Sequence, residues 1–388
     1  MLRRAALGAA GAALGAAVSG CSRGRRPSGS AVALAATSSA RGKVRRAPRT
    51  QLPGKPAMFY KKLSNRRIQC LVCPKECIVG DRERGYCGCK ENRGGVYYTL
   101  VNGRAAAVGL DPIEKKPLFH FLPGTLAFSI AAAGCNFNCK NCQNWEISQS
   151  RPEQVRGIDL PAQRVVEQAI AHRAASVAYT YSEPVTFYEY MYDTSKIARK
   201  RGVRNVMITA GFINREPMIE VCKYLDAIKV DLKSMRNEFY KTNCDGWLQP
   251  VLDTIKLVHR LGKWLEIVYL VIPTLNDSRR EICDLVEWIL HNLGRDVPLH
   301  FSRFFGAYQL KNLPQTPMSK LDECYRIARE AGLRYVYVGN IPDPDYATTY
   351  CPKCGTALIR RNIYQITLMR LKNGACPKCG TKIPGVWR

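Results

Sequence analysis

Residues 126–340 alternate between short apolar runs and longer amphipathic stretches, and this alternation limits the possible folds more than any other feature. The apolar runs predict buried strands over 126–132, 176–181, 205–210, 226–232, 265–272, 299–302 and 335–338. The stretches between them predict helices over 161–173, 186–201, 216–224, 248–261, 278–293 and 319–331. Strands that alternate with helices in this way predict an α/β fold with a parallel sheet or barrel.

Composition and length agree with a folded chain of several modules. The chain has 388 residues, of which 46% are hydrophobic, so wholesale disorder is excluded and a sizeable core can form. No strongly apolar run of about 18 residues follows the N-terminus, which excludes a polytopic membrane protein. We expect a leader and basic linker at 1–56, a Cys-rich module at 57–120, the α/β domain at 121–345 and a second Cys-rich module at 346–388.

Polar residues stand at or near the ends of several predicted strands, where barrels of this kind build their active sites. A charged pair at such a position is costly in a core but natural in a cleft. The candidates are Glu183, Asn276, His300 and the pair Asp231 and Lys233. A plain structural role remains open for three of them: Glu183 as a helix N-terminal acid, Asn276 as a turn or N-cap amide, and His300 as a hydrogen-bonded core histidine.

The 17 cysteines are an odd number, which argues against a simple disulfide framework. Cys135, Cys139 and Cys142 follow the first predicted strand at spacings of four and three, on a tight loop. Three thiolates can bind three irons of a cubane cluster, and the fourth iron is then free to bind another molecule. A zinc site is the weaker interpretation, because structural zinc takes four ligands and no fourth Cys or His lies nearby.

Two further cysteine groups flank the α/β region. Two Cys-Pro-Lys-Cys-Gly repeats, with 21 residues between Cys354 and Cys376, predict a zinc ribbon from Cys351, Cys354, Cys376 and Cys379. Rubredoxin-like iron, or disulfides in an exported chain, are the alternatives there. The N-terminal group predicts a second metal site that holds zinc or another iron–sulfur cluster, with Cys70, Cys73, Cys77 and Cys87 as ligands and Cys89 as a fifth thiol. The remaining cysteines of the ordered region are expected to be buried thiols: Cys222, Cys244, Cys283 and Cys324.

The loop with three cysteines resembles that of the radical S-adenosylmethionine (SAM) superfamily. Residues 60–388 as a whole resemble the radical SAM enzymes of the AmmeMemoRadiSam system, which are related to pyruvate formate-lyase activating enzyme. The similarity covers the Cys-rich head, Cys135–Gln149, Tyr181–Pro184, Gly332–Asn340 and the paired C-terminal repeats. The family has glycines where this chain has Tyr181 and Ser182.

This resemblance implies a partial (β/α)6 barrel with a [4Fe–4S] cluster on Cys135, Cys139 and Cys142. The open iron would bind the amino and carboxylate groups of SAM, and Glu183 would meet the amino group. Asp231, Lys233, Asn276 and His300 would lie near this cofactor. Arg303, on the same strand as His300, could bind a carboxylate or phosphate.

The implied activity is reductive cleavage of SAM to a 5′-deoxyadenosyl radical, which abstracts hydrogen from a macromolecular substrate. The implied partners are a low-potential electron donor such as flavodoxin or ferredoxin, and the companion proteins of the AmmeMemoRadiSam system. Two other functions stay open: activation of a glycyl-radical enzyme by attack on its backbone, and a non-catalytic iron–sulfur or zinc scaffold. Nucleic-acid contact by the basic C-terminal repeats lacks an aromatic base-stacking pattern.

The leader raises the question of localisation. Residues 1–55 contain eleven Lys or Arg and no acid, which leaves +17 of the formal net charge of +28 for the rest of the chain. Arg3 and Arg4, a weakly apolar stretch and Val18–Cys21 resemble a lipoprotein signal with Cys21 as the lipidated residue, or a twin-arginine signal. The alternatives are a disordered extension and a start codon placed too far upstream. Export would separate the enzyme from cytoplasmic SAM and reductant, so the chemistry favours the cytoplasm. The basic tract at 41–49 is most simply a solvated linker, and it could also touch anionic lipid or nucleic acid.

Overall fold

The computed structural model describes residues 52–388. The predicted leader, Cys21 and the basic tract at 41–49 therefore lie outside the described residues. All of the described residues belong to one compact unit. Within the described part, none of the helices combines the length and apolar character that crossing a membrane requires.

A mostly parallel sheet of eight strands forms the centre of the molecule. Its strands are β8 (Ala107–Pro112), β9 (Leu126–Ala131), β11 (Ser176–Tyr179), β12 (Arg204–Thr209), β13 (Ala227–Asp231), β14 (Trp264–Val271), β15 (Leu299–Arg303) and β16 (Val336–Gly339). Their order in the sheet is β16-β15-β14-β13-β12-β11-β9-β8, and every neighbouring pair is parallel except β8 and β9.

Helices connect the parallel strands in the predicted order. They are the short α1 (Trp145–Ser148), α2 (Ala162–Ala171), α3 (Tyr188–Lys200), α4 (Arg215–Cys222), the short α5 (Asn237–Phe239), α6 (Gln249–Arg260), α7 (Arg279–Leu293) and α8 (Met318–Glu330). A π-helical turn at Tyr240–Cys244 follows α5. Each predicted strand and helix of residues 126–340 is confirmed, with ends that differ by a few residues.

The sequence explains these elements through burial. All four residues of β11 are buried, as is typical of a parallel strand covered on both faces. Helix α2 buries Val165, Val166 and Ala169, the spacing of one helical face. Ser278 is the N-cap of helix α7. Its side chain accepts a hydrogen bond from the Glu281 backbone N–H.

Small antiparallel sheets flank the large one on either side in sequence. The N-terminal part contains the sheet of β2 (Tyr60–Lys62), β3 (Ile68–Cys70) and β4 (Ile78–Val79), and the sheet of β1 (Lys55–Pro56), β6 (Val96–Thr99) and β5 (Lys90–Arg93). Strand β7 (Arg104–Ala105) pairs with β10 (Ile158–Asp159). The C-terminal part forms the sheet of β17 (Thr349–Tyr350), β18 (Ala357–Asn362) and β19 (Gln365–Met369).

The architecture is an α/β fold with a large, mostly parallel sheet of the kind found in partial barrels. The antiparallel edge strand β8, whose burial does not alternate regularly, was not among the predicted strands. The proposed divisions after residues 56, 120 and 345 stay a prediction, since residues 47–388 cluster as a single unit.

Candidate functional site

The three-cysteine loop leaves the carboxyl end of β9 and is largely buried. Gly134, with φ of +89°, makes the turn that the loop requires. The backbone N–H of Phe137 points at the Cys135 sulfur (3.4 Å), and the Phe137 ring packs on Phe212 at 4.7 Å. The aromatic residue between the first two cysteines thus anchors the loop against the end of the sheet.

The thiols of this loop lie near one another, and burial is the first or second cause that raises the pKa of each of them. Burial raises the pKa of Cys135, and the charges of Glu183 and Cys139 raise it further. Burial and Cys139 likewise raise the pKa of Cys142. A site built from three soft, buried sulfur donors fits an iron–sulfur cluster, whose irons would stabilise the thiolate forms.

Glu183 lies beside this loop, immediately after β11. Its carboxylate accepts hydrogen bonds from the Thr209 hydroxyl and, at 2.8 Å, from the Ala210 backbone N–H, both at the end of β12. Burial raises the pKa of Glu183, and these hydrogen bonds lower it by less. The side chain also accepts the Val185 N–H (3.3 Å), so the predicted helix-capping role is present together with the location near Cys135.

The turn before Glu183 lacks the glycines of the family pattern, yet its backbone still enters the left-handed region. Tyr181, which replaces a glycine, has φ of +64°, in the left-handed region that glycine favours. Its hydroxyl donates to the Asp111 carboxylate on β8, and the Ser182 hydroxyl donates to the Ala132 carbonyl at 2.6 Å. These tertiary contacts offset the strain that the tyrosine incurs.

Asp231 and Lys233 end β13 and face the same buried site. Asp231 pairs with Lys229. Burial raises the pKa of Asp231, but the charges of Lys229 and Lys233 outweigh that effect and lower it. Burial lowers the pKa of Lys233, whereas Asp231 and the thiols of Cys139 and Cys244 raise it above its usual value. The structure therefore places this charged pair near Cys139, while its role at the cofactor stays a prediction.

Asn276 and His300 have partners of a different kind. The Asn276 amide accepts the Ile272 N–H (2.7 Å) and donates to the carbonyls of Lys233 (2.8 Å) and Leu270, so it joins the ends of β13 and β14. His300 is buried and its Nε2 lies 2.7 Å from the Glu266 carboxylate. Within residues 52–388, neither side chain hydrogen-bonds the cysteine loop. The cofactor roles of both residues stay a prediction.

One residue near the loop was not singled out by sequence reasoning. Cys244 is buried, as predicted, but its thiol also hydrogen-bonds that of Cys139, which is the main reason that the pKa of Cys139 is raised. The Cys244 carbonyl accepts the Asn138 N–H at 2.9 Å. Cys244 ends the π-helical turn, a feature often found at functional sites. No local sequence signal could have placed it there, since about a hundred residues separate it from the loop.

The C-terminal cysteines form a compact metal-type site. The sulfur atoms of Cys351, Cys354, Cys376 and Cys379 all lie within 4.8 Å of one another. The Cys351–Cys379 and Cys354–Cys376 sulfur distances are 3.5 and 3.6 Å. Tetrahedral ligands at a Zn–S distance of about 2.3 Å stand about 3.8 Å apart, so one ion of this size fits. The predicted four-Cys group is confirmed, while the identity of its ion stays a prediction.

The N-terminal cysteines lie close to one another. The Cys70 backbone N–H donates to the Cys77 carbonyl at 3.0 Å, and the Cys77 sulfur accepts the backbone N–H of Tyr86, the neighbour of Cys87, at 3.4 Å. Burial is the main cause that raises the pKa of Cys70, Cys73 and Cys77, and the charge of Cys87 raises each of them further. The Cys89 thiol is buried and donates to the Cys87 carbonyl at 3.2 Å and to the Ala133 carbonyl at 2.8 Å.

Comparisons with known proteins agree with this geometry. The profile of the radical SAM superfamily matches residues 129–286, which span the cysteine loop, Glu183, Asp231, Lys233 and Asn276. An uncharacterized protein of Methanocaldococcus jannaschii is 43% identical over 329 residues, covering 84% of this chain and 98% of that protein.

More distant relatives have assigned activities. The pyruvate formate-lyase-activating enzyme of Clostridium pasteurianum is 24% identical over 167 residues, covering 40% of this chain and 66% of that enzyme. The 4-hydroxyphenylacetate decarboxylase activating enzyme of Clostridium scatologenes is 25% identical over 126 residues, covering 32% of this chain and 40% of that enzyme. A crystallised domain of pyruvate formate-lyase-activating enzyme from Bacteroides vulgatus superposes with a TM-score of 0.38 at 21% identity, covering 42% of this chain and 99% of that domain.

Proposed function

The chain belongs to the radical SAM superfamily as an enzyme related to pyruvate formate-lyase-activating enzymes, and from this premise we propose that it abstracts hydrogen from a macromolecular substrate. One observation carries the proposal: the thiols of Cys135, Cys139 and Cys142 lie at the carboxyl end of β9 together with buried charged groups from β11 and β13. When bound there, a [4Fe–4S] cluster and SAM would supply an electron and a 5′-deoxyadenosyl radical.

The protein's own residues would hold and orient these groups. Cys135, Cys139 and Cys142 would bind three irons, which leaves one position for SAM. Glu183 is held by the end of β12 and would accept hydrogen bonds from the amino group of SAM, an ammonium at neutral pH. Lys233, whose pKa is raised, offers a fixed positive charge to a carboxylate. The buried setting strengthens both interactions and excludes water.

A large substrate is supported by the surface next to the loop. Trp145 follows the cysteine loop and is 41% exposed, and its ring stacks on Tyr308 at 5.2 Å. Phe305, in the same segment as Tyr308, is also exposed. Exposed aromatic side chains beside a reactive site are typical of macromolecular contact surfaces. The proposed partners are this substrate, a flavodoxin or ferredoxin as electron donor, and companion proteins of the AmmeMemoRadiSam type.

Activation of a glycyl-radical enzyme is the second candidate, because two of the relatives are activating enzymes. In that case hydrogen would be taken from a glycine Cα of the partner polypeptide. Electron paramagnetic resonance would then detect a radical on the partner after turnover, whereas modification of another substrate would leave the partner free of a radical signal.

Binding of SAM to the cluster tests the proposed function. The anaerobically reconstituted full chain, prepared with ⁵⁷Fe, would be examined by Mössbauer spectroscopy with and without SAM. We expect SAM to change the parameters of one iron of the loop cluster, and Cys139→Ala to lack that signal. A full cluster in Cys139→Ala, or a wild-type spectrum that SAM leaves unchanged, would overturn the proposal.

A further inference from the structure

We propose that Cys70, Cys73, Cys77 and Cys87 bind a second iron–sulfur cluster, which passes electrons to the loop of Cys135, Cys139 and Cys142. These four thiols come from β3, from the turns after β3 and from the segment before β5. They lie together, because the Cys70 backbone N–H donates to the Cys77 carbonyl at 3.0 Å and the Cys77 sulfur accepts the backbone N–H of Tyr86, the neighbour of Cys87, at 3.4 Å. Cys89, the fifth thiol, donates to the carbonyls of Cys87 and Ala133.

The spacing of the sulfur atoms favours a cluster over a single ion. The C-terminal four cysteines show what a single-ion site looks like in this chain, with all sulfur atoms within 4.8 Å. Across residues 52–388, no other group of three or more Cys, His, Asp or Glu is spaced so closely, and this includes the N-terminal four. In a cubane each thiolate binds a different iron, so its four ligands stand farther apart than those of one zinc ion.

The N-terminal group packs directly against the radical SAM loop. The Asn214 backbone N–H, after β12, donates to the carbonyl of Val72, the neighbour of Cys73, at 3.0 Å, and the Asn136 side chain of the loop donates to the Phe212 carbonyl in the same segment at 2.7 Å. A Cβ atom on Gly134 would overlap both the Cys89 sulfur and the Cys87 carbonyl, so the two segments touch there without a side chain between them.

One cysteine of each group lines a shared cavity, which gives an electron donor a path of approach. This cavity, of about 1160 Å³, is lined by Tyr86, Cys87 and Cys135 among others, and the Tyr86 ring is 44% exposed. A cluster on Cys87 would therefore border the same open cavity as Cys135.

The electron balance is simple and needs one external reductant. Reduced flavodoxin or ferredoxin loses one electron, and the N-terminal cluster gains it. The N-terminal cluster returns to its oxidised state when the loop cluster takes up that electron. No bond forms or breaks at either cluster in these two transfers. This transfer role rests on the proposed function, whereas the existence of the second cluster does not.

Metal and sulfide analysis of the reconstituted full chain tests the cluster itself. We expect about eight iron and eight sulfide per chain for two cubanes, and about four of each in Cys73→Ser and in Cys77→Ser. Cys283→Ser is the control, since it changes a cysteine of α7 outside the three cysteine groups, and it should retain about eight iron. Circular dichroism shows whether each variant is folded.

Other metal contents overturn the proposal. If the wild type holds about four iron, or if Cys73→Ser and Cys77→Ser lose zinc in place of iron, the N-terminal site is not an iron–sulfur cluster. If either folded variant keeps all the iron of the wild type, its cysteine is not a ligand.

The transfer role is tested by comparing reductants. Dithionite is a small reductant that can reach the loop cluster directly, so the quantity compared is the rate of 5′-deoxyadenosine formation with reduced flavodoxin divided by the rate with dithionite. This ratio should be at least about tenfold lower in Cys73→Ser than in the wild type. An equal ratio in the two proteins would overturn the transfer role. Absence of 5′-deoxyadenosine from the wild type with both reductants would instead overturn the proposed function, while the iron count still decides the second cluster.

Discussion

At the scale of single residues, the site depends on side chains whose charge is held in place by the ends of neighbouring strands. Glu183 shows this most clearly, because its two oxygens are fixed by the hydroxyl of Thr209 and the backbone N–H of Ala210. A carboxylate with fixed donors on one side can direct its remaining lone pairs toward a ligand.

Glu183→Gln keeps the shape of the side chain but removes its charge. We expect the affinity of the reconstituted enzyme for SAM to fall by about tenfold to a hundredfold, the range for loss of a hydrogen bond to a charged group. Isothermal titration without reductant measures this change. Glu167→Gln, on the exposed face of α2, is the matched control and should leave the affinity unchanged. An affinity of Glu183→Gln within twofold of the wild type would contradict the assigned role.

Gly134→Ala should destabilise the cysteine loop, because the new Cβ would overlap the Cys89 sulfur and the Cys87 carbonyl. Gly262→Ala is a matched control, since Gly262 also has a positive φ but has open space around its Cα. We expect a loss of about 1 kcal/mol in unfolding free energy for Gly262→Ala and several times as much for Gly134→Ala. Urea unfolding of both proteins measures the difference, and equal losses would refute the close packing.

At the scale of elements, the C-terminal sheet is joined to the large sheet by a buried polar network. His120 lies between the two: its Nδ1 is 2.7 Å from the Pro384 carbonyl and its Nε2 is 2.6 Å from the Tyr337 hydroxyl on β16. Arg361, on β18, donates to the Phe119 carbonyl at 2.6 Å. Such networks stabilise only while every member keeps its partner.

The network predicts a loss of stability in mild acid. Burial lowers the pKa of His120 to about 4 from 6.5 in the unfolded chain. His120 therefore binds a proton below about pH 6.5 in the unfolded state but only below about pH 4 in the folded state. The free energy of unfolding falls as the pH drops through this window. We expect His120 to contribute a loss of about 2 kcal/mol between pH 7 and pH 5.

Urea unfolding of the wild type and of His120→Gln at both pH values measures this contribution as a difference. The variant should be less stable at pH 7 but should lose about 2 kcal/mol less than the wild type on acidification. An identical pH dependence in the two proteins would show that His120 does not titrate in this way.

Arg361→Met should be strongly destabilising, because it leaves the buried carboxylate of Glu114 without its cation. The Arg361 Nε lies 3.8 Å from Glu114, and both side chains are fully buried. We expect a loss of about 3 kcal/mol in unfolding free energy. The double variant Glu114→Gln, Arg361→Met should be more stable than Arg361→Met alone, since no unpaired charge remains. If the double variant is the less stable protein, the ion pair is not the reason for the loss.

The elements were predictable from sequence where local pattern decides the structure. The fully apolar strand β11 and the helical spacing of Val165, Val166 and Ala169 are both properties of a short stretch of chain. The partners of His300 and Cys244 were not predictable, because Glu266 and Cys139 meet them only after the sheet has formed. The position of Asp231 and Lys233 was predictable because parallel strands bring their carboxyl ends to one edge.

At the scale of the whole molecule, the described chain places three cysteine groups in different geometries around one sheet. The C-terminal four have the close spacing of a single-ion site. Neither the loop after β9 nor the N-terminal four has that close spacing, and the two segments touch where Gly134 lies against Cys87 and Cys89. This arrangement predicts that iron and a tetrahedral metal ion occupy separate parts of the same protein.

Formation of 5′-deoxyadenosine tests the central claim most directly. The anaerobically reconstituted full chain would be given dithionite and SAM, and the products separated by liquid chromatography. We predict that the wild type releases 5′-deoxyadenosine together with methionine, and that Cys139→Ala, which lacks a ligand of the loop cluster, releases neither. A wild-type protein with a complete loop cluster that forms no 5′-deoxyadenosine, or equal formation by Cys139→Ala, would contradict the account.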